Sequence, residues 1–199
     1  LTNAAFNAFL VFTIRNFGTG ISSDGTLTRD PNNNYYPSNT TPVGIPDPFL
    51  FLENLEVRNN NSGILLDNSA GASLLNLKVH DNGLGFGGSV STRFGEGVRI
   101  TFSDSVLVDG LQAYNNDDGS NDGLDLPIDN GLTLYNCDNS TVEDSTFYGN
   151  NINLDIGSDA TVKRVLSHSY RHAGLLSRRR AADQWKPHTA IITDSIFYD

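Results

Sequence analysis

Side chains that can hold or move a proton recur at one position of a short repeated motif. The motif reads NLEVRNN, NLKVHDN and GLQAYNN in three successive copies. Its fifth position is Arg58, His80 and Tyr114 in turn, and Lys78 lies two residues before His80. Removal of a proton next to a carboxylate needs a base, an acid and a cation, and these four residues supply those types. They are therefore the candidate catalytic residues.

The repeat that carries these residues predicts the elements that hold them. Further copies read DSTFYGN, RVLSHSY and DSIFYD, and the steps between copies are 22, 34, 34, 20 and 30 residues. Unequal steps are normal for a solenoid whose turns accept insertions. A second apolar motif follows most copies, as in GILLDNSAGASLL and GVRITFSDSVLV. Each coil is therefore predicted to contain at least two short strands with alternating faces.

Alternation also predicts which side chains stack inside the solenoid. Leu55, Leu77 and Leu111 are expected to form one buried column. In the second motif, the pattern places Ile64 and Leu66 over these pairs in later coils: Val98 and Ile100, Leu132 and Leu134, and Ile152 and Leu154. The last residue of the first motif is asparagine in four copies. This predicts a hydrogen-bonded ladder of Asn60, Asn82, Asn116 and Asn150.

Composition supports many short strands and narrows the classes of partner. Only 18% of residues are charged and 38% are hydrophobic, and Gly, Asn, Asp and Ser are abundant, as suits tight turns between strands. Residues 1–162 contain 20 acidic and 6 basic residues, whereas residues 163–199 contain 3 acidic and 7 basic ones. An acidic body argues against a nucleic acid partner. No apolar run reaches the length of a membrane span, so membrane insertion is not expected.

With these repeats, the chain resembles the pectate-lyase-like superfamily of right-handed parallel β-helix proteins. Pectate and alginate lyases, polygalacturonases and mannuronan C5-epimerases have similar repeats, and the resemblance covers about residues 50–170. It implies an all-β fold, a single-stranded right-handed parallel β-helix, and an extracellular or cell-surface location. The epimerase Asp-Pro-His motif is absent, and NDGLD is only a partial match to the polygalacturonase Asn-Thr-Asp motif. The fold is therefore implied more firmly than an activity.

The exposed face of the first motif is the candidate binding surface for polysaccharide. Coils about 4.8 Å apart would bring Arg58, Lys78, His80 and Tyr114 within one sugar-binding footprint. The further residues expected to bind substrate are Tyr148, Gln112, Arg99 and Trp185. In the alternative interpretation, the aromatic side chains on this face only stabilise neighbouring strands.

An acidic segment resembles a calcium-binding loop. Asp118, Ser120, Asp122 and Asp129 stand at positions 1, 3, 5 and 12 of that pattern, and Leu124 would offer its carbonyl at position 7. Calcium is the one cofactor predicted. An ordinary turn rich in Asx residues is the alternative.

The whole chain, 1–199, is predicted to be one β-helix domain with four parts. Residues 1–50 would form an irregular N-terminal coil and a long loop, 51–170 regular coils, 171–190 a basic insertion, and 191–199 the last strand. Trp185 and the arginines of the insertion could clamp an acidic chain, or the insertion could only shield the stack. The single cysteine, Cys137, is interpreted as structural.

Two functional hypotheses follow from these patterns. One is a polysaccharide-binding or polysaccharide-modifying protein, similar to a lyase or epimerase, that acts on acidic glycans. The other is a non-catalytic structural or adhesive solenoid at a surface or in a filament. Open sheet edges at the two ends of a solenoid can accept strands from other chains, so end-to-end or lateral self-association is expected in the second case.

Overall fold

The computed structural model describes residues 7–10, 13–15, 19–24, 50–83, 95–116, 129–177 and 188–199. Every regular element within these ranges is a β-strand. The strands are β1 Asn7–Leu10, β2 Thr13–Arg15, β3 Thr19–Asp24, β4 Leu50–Glu53, β5 Glu56–Arg58, β6 Ser62–Asp67, β7 Ser73–Leu75, β8 Lys78–His80, β9 Val98–Thr101, β10 Leu107–Asp109, β11 Gln112–Tyr114, β12 Asn130–Tyr135, β13 Ser140–Glu143, β14 Thr146–Tyr148, β15 Ile152–Gly157, β16 Ala160–Lys163, β17 Leu166–His168, β18 Ala173–Ser177, β19 Ala190–Thr193 and β20 Ile196–Tyr198.

The strands form three parallel sheets, and each coil adds one strand to each sheet in turn. The first sheet has the order β1-β4-β7-β10-β13-β16-β19, and the second has the order β2-β5-β8-β11-β14-β17-β20. The third sheet runs β18-β15-β12-β9-β6-β3. Three stacked parallel sheets built from consecutive coils are a right-handed parallel β-helix, so the predicted all-β fold is confirmed.

The core is a set of apolar columns inside the coils. Leu55, Leu77 and Leu111 are buried in one cluster, which confirms the predicted column. The third-sheet register was predicted wrongly at one coil. Leu132 pairs with Leu154, whereas Ile152 pairs with Asn130. A shift of two residues leaves the alternation of faces unchanged, so the pattern alone did not separate the two registers.

Left-handed backbone at the corners turns the chain from one sheet to the next. Between the first and second sheets, one residue has a positive φ in each of the six coils whose corner the structure describes, and these residues are Asn54, Asn76, Gly110, Asp144, Arg164 and Asp194. Asparagine, aspartate and glycine accept this conformation at low cost, whereas Arg164 does so at a cost. Asn68, Phe102 and Asn136 turn the chain again between the third and first sheets. Each second motif is therefore two strands, and each regular coil has three.

An internal asparagine ladder ties four coils together, as predicted. The side-chain amide of Asn60 donates to Asn82 Oδ1 at 3.3 Å, Asn82 to Asn116 at 2.8 Å, and Asn116 to Asn150 at 3.1 Å. Asn150 then donates to Asn153 Oδ1 at 2.9 Å. Asn153 in turn donates to Ser167 Oγ and to backbone carbonyls. A residue outside the repeat position therefore continues the ladder into the next coil.

One of the predicted boundaries needs correction. Residues 173–177 were assigned to the basic insertion 171–190, but they form β18 at the edge of the third sheet, where Leu175 pairs with Leu154. Leu175 packs against the core, which explains why this segment is a strand. The segment 1–50 was predicted to contain an irregular N-terminal coil and a long loop. Its described residues contribute β1, β2 and β3, which pair with β4, β5 and β6.

Candidate functional site

The outer face of the second sheet carries a continuous stack of five aromatic rings, called here the ring column. It consists of His80, Tyr114, Tyr148, His168 and Tyr198. Successive ring centroids are 4.6, 4.6, 5.1 and 5.3 Å apart, and interplanar angles are 12° or less. The parallel register places equivalent residues of successive coils side by side, so the rings stack along the axis. The predicted column therefore lies on one outer face of the sheet, although His80 is buried within it.

Stacking determines which parts of the rings in the ring column a ligand can contact. Each inner ring has a neighbouring ring on both faces at van der Waals distance, so its faces are occupied. The ring edges and the hydroxyl groups of Tyr114 and Tyr148 are the parts of the column that a ligand can contact. Both tyrosines are half-buried, and burial raises the pKa of Tyr148 above its ordinary value, with a further contribution from the charge of Tyr114. Tyr148 therefore remains a neutral hydrogen-bonding group at physiological pH.

A polar column lies beside the ring column on the same face. It consists of Glu56, Lys78, Gln112 and Thr146, in register along β5, β8, β11 and β14. Lys78 and Gln112 are exposed. The ammonium group of Lys78 is 5.7 Å from the centroid of the Tyr114 ring. The pKa of Lys78 is raised, first by its hydrogen bond with Tyr114, then by the charges of Tyr114 and Glu56. Lys78 is therefore a cation throughout the neutral range.

His80 begins the ring column in a different environment from the one predicted. The sequence placed it on the exposed face, but only 5% of its surface is exposed. Its Nδ1 is 2.7 Å from Asp81 Oδ2, and its Nε2 is 2.9 Å from Glu56 Oε1. Both ring nitrogens are therefore within hydrogen-bond distance of a carboxylate oxygen. In this arrangement neither nitrogen is free to take a proton from a bound sugar.

Glu56 lies at the centre of a cluster of three basic side chains, Arg58, Lys78 and His80. Besides the short contact with His80, its Oε1 is 3.8 Å from Arg58 Nε and 4.0 Å from Lys78 Nζ. The side chains of Arg58 and Lys78 are 34% and 46% exposed. The structure thus brings together all four residues predicted to be catalytic, and it adds the two carboxylates of Glu56 and Asp81, which the sequence analysis missed. Asp81 follows His80 and Glu56 lies one coil earlier, but no feature of the repeat indicated that they contact the His80 ring.

A comparison with protein-family models matches residues 11–198 to the right handed beta helix region. The chain belongs to this family. Searches of curated proteins and of solved structures found no match. The family establishes the β-helix fold, and the functional argument therefore depends on the surface of this β-helix. Within the parts of the chain that the structure describes, no helix has the length and apolarity needed to cross a membrane.

A second polar cluster lies on the third sheet of the β-helix. Tyr135 donates from its hydroxyl to Asp155 Oδ2 at 2.5 Å, and Asn130 donates to Asp155 at 3.3 Å and to Thr133 at 2.9 Å. All four side chains are buried. Arg99 pairs with Thr133 across the sheet and forms an ion pair with Glu96 at 3.1 Å. Arg99, predicted to bind substrate, therefore lies on a different sheet from the ring column.

The predicted calcium loop falls mostly outside the described residues. Asp118, Ser120, Asp122 and Leu124 lie there, and only Asp129 is described. Asp129 is buried, has a φ of 77°, and accepts a hydrogen bond from Asn151 N through its carbonyl. Among the described residues, no three His, Cys, Asp or Glu side chains are grouped so as to hold a metal ion. The calcium site stays a prediction.

Two other residues named from the sequence are Trp185 and Cys137. Trp185 lies outside the described residues, so its role also stays a prediction. Cys137 is fully buried and continues a serine column: Ser69 N donates to Ser103 Oγ, and Cys137 N donates to Ser158 Oγ. Its thiol donates to Tyr135 O, and burial raises its pKa to about 12. A buried, protonated thiol is not a nucleophile, which agrees with a structural role.

Proposed function

We propose that this protein binds polysaccharide along the outer face of its second sheet. The observation that carries the proposal is the ring column with the polar column beside it, in register over successive coils. Hydrogen-bonding groups then repeat about every 5 Å along a straight line. A repeated line of groups suits an extended polymer with repeated hydroxyls better than a small, compact ligand. An extracellular or cell-surface location is part of this proposal.

Binding would depend on hydroxyl and amide groups rather than on stacking of sugars against rings. Gln112 and Tyr114 lie on β11, and Thr146 and Tyr148 lie on the neighbouring strand β14. Each of these side chains can donate and accept a hydrogen bond. The inner ring faces are already covered by other rings, so they are not platforms for a sugar. A ligand chain aligned with the axis can contact these groups in consecutive coils.

The geometry supports binding better than lyase-like or epimerase-like turnover. Both nitrogens of His80 contact carboxylates, and the ring is buried, so it is poorly arranged as a base. Turnover of an acidic glycan would have to use Tyr114, with Arg58 or Lys78 against the sugar carboxylate. If such turnover occurs, Tyr114→Phe should abolish it.

The test is the affinity of Tyr148→Phe for polysaccharides that the wild-type protein retains on a glycan array. This change removes one hydroxyl and keeps the ring, so the stack persists. We expect affinity to fall about fivefold, in line with one lost hydrogen bond. Tyr170→Phe is the matched control, because Tyr170 lies after β17 and outside the ring column. Equal affinities for Tyr148→Phe and the wild type would argue against this surface.

A structural or adhesive solenoid is the second candidate, and one observation favours it. The exposed large hydrophobic residues among the described residues all lie in the last coil: Ile191, Ile192, Ile196 and Tyr198. Such a patch is typical of a contact surface. In this case the protein should form oligomers, measurable by light scattering. Ile191→Arg, on β19 of the first sheet, should reduce them to monomers while leaving glycan binding to the second sheet unchanged.

A further inference from the structure

Tyr114 and Tyr148 lie on neighbouring strands of the ring column with their rings face to face. Each is the last residue of its strand, β11 or β14, and the two are partners in the parallel register. Their ring centroids are 4.6 Å apart, and the ring planes differ by 4°. The next rings on either side belong to His80 and His168. Because His168 separates Tyr148 from Tyr198, this is the only pair of adjacent tyrosines in the ring column.

The hydroxyl groups of the two tyrosines show that the rings are aligned along their length. Burial is the main cause of the raised pKa of Tyr148, and the charge of Tyr114 and a hydrogen bond with its side chain raise that pKa further. The hydroxyl is the hydrogen-bonding group of a tyrosine side chain, so the two phenol oxygens are close together. In parallel rings with adjacent oxygens, the carbons ortho to the hydroxyl in one ring lie beside those of the other.

We propose that Tyr114 and Tyr148 form a modification site, at which a one-electron oxidant joins the two rings as dityrosine. Each phenol loses one electron to the oxidant and its hydroxyl proton to water, which gives a phenoxyl radical with unpaired density on the ortho carbons. The two radicals then form a carbon–carbon bond between one ortho carbon of each ring. Each of these carbons loses its proton and each oxygen regains one. With a haem peroxidase as the oxidant, the two electrons and two protons lost overall convert one hydrogen peroxide into two water molecules.

Proximity favours bond formation within this pair of tyrosines. Both side chains are half-buried, so an oxidant can reach them from the outer face of the sheet. A radical on either ring has the other tyrosine at 4.6 Å, whereas a tyrosine of a second molecule must first diffuse to it. Tyr198 differs, because its ring stacks on His168 and half of its surface is exposed. Oxidation of Tyr198 therefore joins two molecules rather than two coils of one molecule.

The new bond would covalently join two neighbouring coils. It closes a loop from residue 114 to residue 148 and so restricts the unfolded chain, as a disulfide does. The rings are already stacked in the folded protein, so the bond draws together groups that are in contact. A closed loop of this length corresponds to an increase of about 10 °C in melting temperature for a chain of this size.

The test is oxidation of the folded protein, at micromolar concentration, by a haem peroxidase and hydrogen peroxide. Oxidised monomer would be separated from joined molecules by size-exclusion chromatography in urea and digested with a protease that cleaves before aspartate. This digestion releases Tyr114 in the peptide 109–116 and Tyr148 in the peptide 144–154. We expect mass spectrometry to find these two peptides joined, with the loss of two hydrogen atoms, and the monomer to show the fluorescence of dityrosine.

Tyr148→Phe is the decisive variant, because phenylalanine keeps the stacked ring but lacks the hydroxyl from which the radical forms. It should lose the joined peptides. Tyr198→Phe is the matched control in the same ring column, and it should keep them at the yield of the wild type. Wild-type protein oxidised in urea should also lose them, because only the folded register holds the two rings together. Circular dichroism would verify that each variant is folded.

Three results would overturn the proposal. One is an oxidised wild-type monomer in which the peptides 109–116 and 144–154 are not joined to each other. Another is an equal yield of the joined peptides from folded and from unfolded protein, since the stacked geometry would then have no part in the reaction. The third is an equal yield from Tyr148→Phe and the wild type. Joined peptides that depend on folding and on Tyr148, but not on Tyr198, would establish the site.

Discussion

Asn116→Ala should destabilise the β-helix strongly, although the residue touches no ligand surface. Asn116 is fully buried. Its amide group donates to Asn150 Oδ1 and to Val79 O, each at 3.1 Å. Its Oδ1 accepts from the side-chain amide of Asn82 at 2.8 Å and from Asn82 N at 3.4 Å. The variant removes all four hydrogen bonds within one step of the ladder.

The size of the effect follows from which groups lose a partner. Asn150 Oδ1 keeps the hydrogen bond from Asn116 N, and the Asn82 amide keeps Val57 O. Asn82 N loses the side-chain acceptor described above, whereas Val79 O keeps its place in the parallel ladder between β8 and β11. A buried polar group left without a partner costs about 1–3 kcal/mol. We therefore expect the free energy of unfolding to fall by about 3 kcal/mol.

Urea denaturation followed by circular dichroism would measure this change. Gln112→Ala is the control on the same coil, because Gln112 is exposed and its truncation should cost about 0.5 kcal/mol or less. If Asn116→Ala also costs no more than about 0.5 kcal/mol, the ladder is not a main source of stability, and the argument from its hydrogen bonds is wrong.

Three further predictions concern other parts of the chain. Cys137 should resist alkylation at pH 8 in the folded state. Because folding raises its pKa to about 12 from 9.0, its contribution to stability should be intact below pH 9 and fall above it. Cys137→Ser should remove that part of the fall in alkaline denaturation. Arg164 forms ion pairs with Glu143 and Asp144 but has a φ of 52°. In thermal melts, Arg164→Ala should therefore be less stable than Arg164→Gly, because glycine accepts left-handed backbone without the cost that alanine has there. Equal stabilities of the two variants would contradict that cost. Calorimetry should detect calcium binding that Asp122→Asn weakens, and the absence of any binding at millimolar calcium would end the calcium hypothesis.

Much of the β-helix could be predicted because period-2 alternation and stacking constrain each other. The leucine column of Leu55, Leu77 and Leu111 and the asparagine ladder follow from single positions in a repeat. The ring column follows in the same way, since register on one strand fixes the neighbours on the next. Where alternation was the only constraint, as for Ile152 and Leu154, the sequence allowed two registers and the prediction was wrong.

The chemistry of the candidate site was less predictable because it depends on distances between side chains. Nothing in the motif indicates that His80 is buried between Glu56 and Asp81, since both carboxylates belong to positions that also face solvent in other coils. Asn153 likewise lies outside the repeat position, yet it continues the asparagine ladder. Such contacts arise from rotamers and from corner geometry, which a pattern of residue types does not specify.

The most direct test of the central claim is a crystal structure of the protein with a bound oligosaccharide. The account predicts a sugar chain along the outer face of the second sheet, parallel to the axis. Its hydroxyls should contact Gln112 and Tyr148. An ordered sugar chain on the first or third sheet, with the ring column bare, would contradict the account.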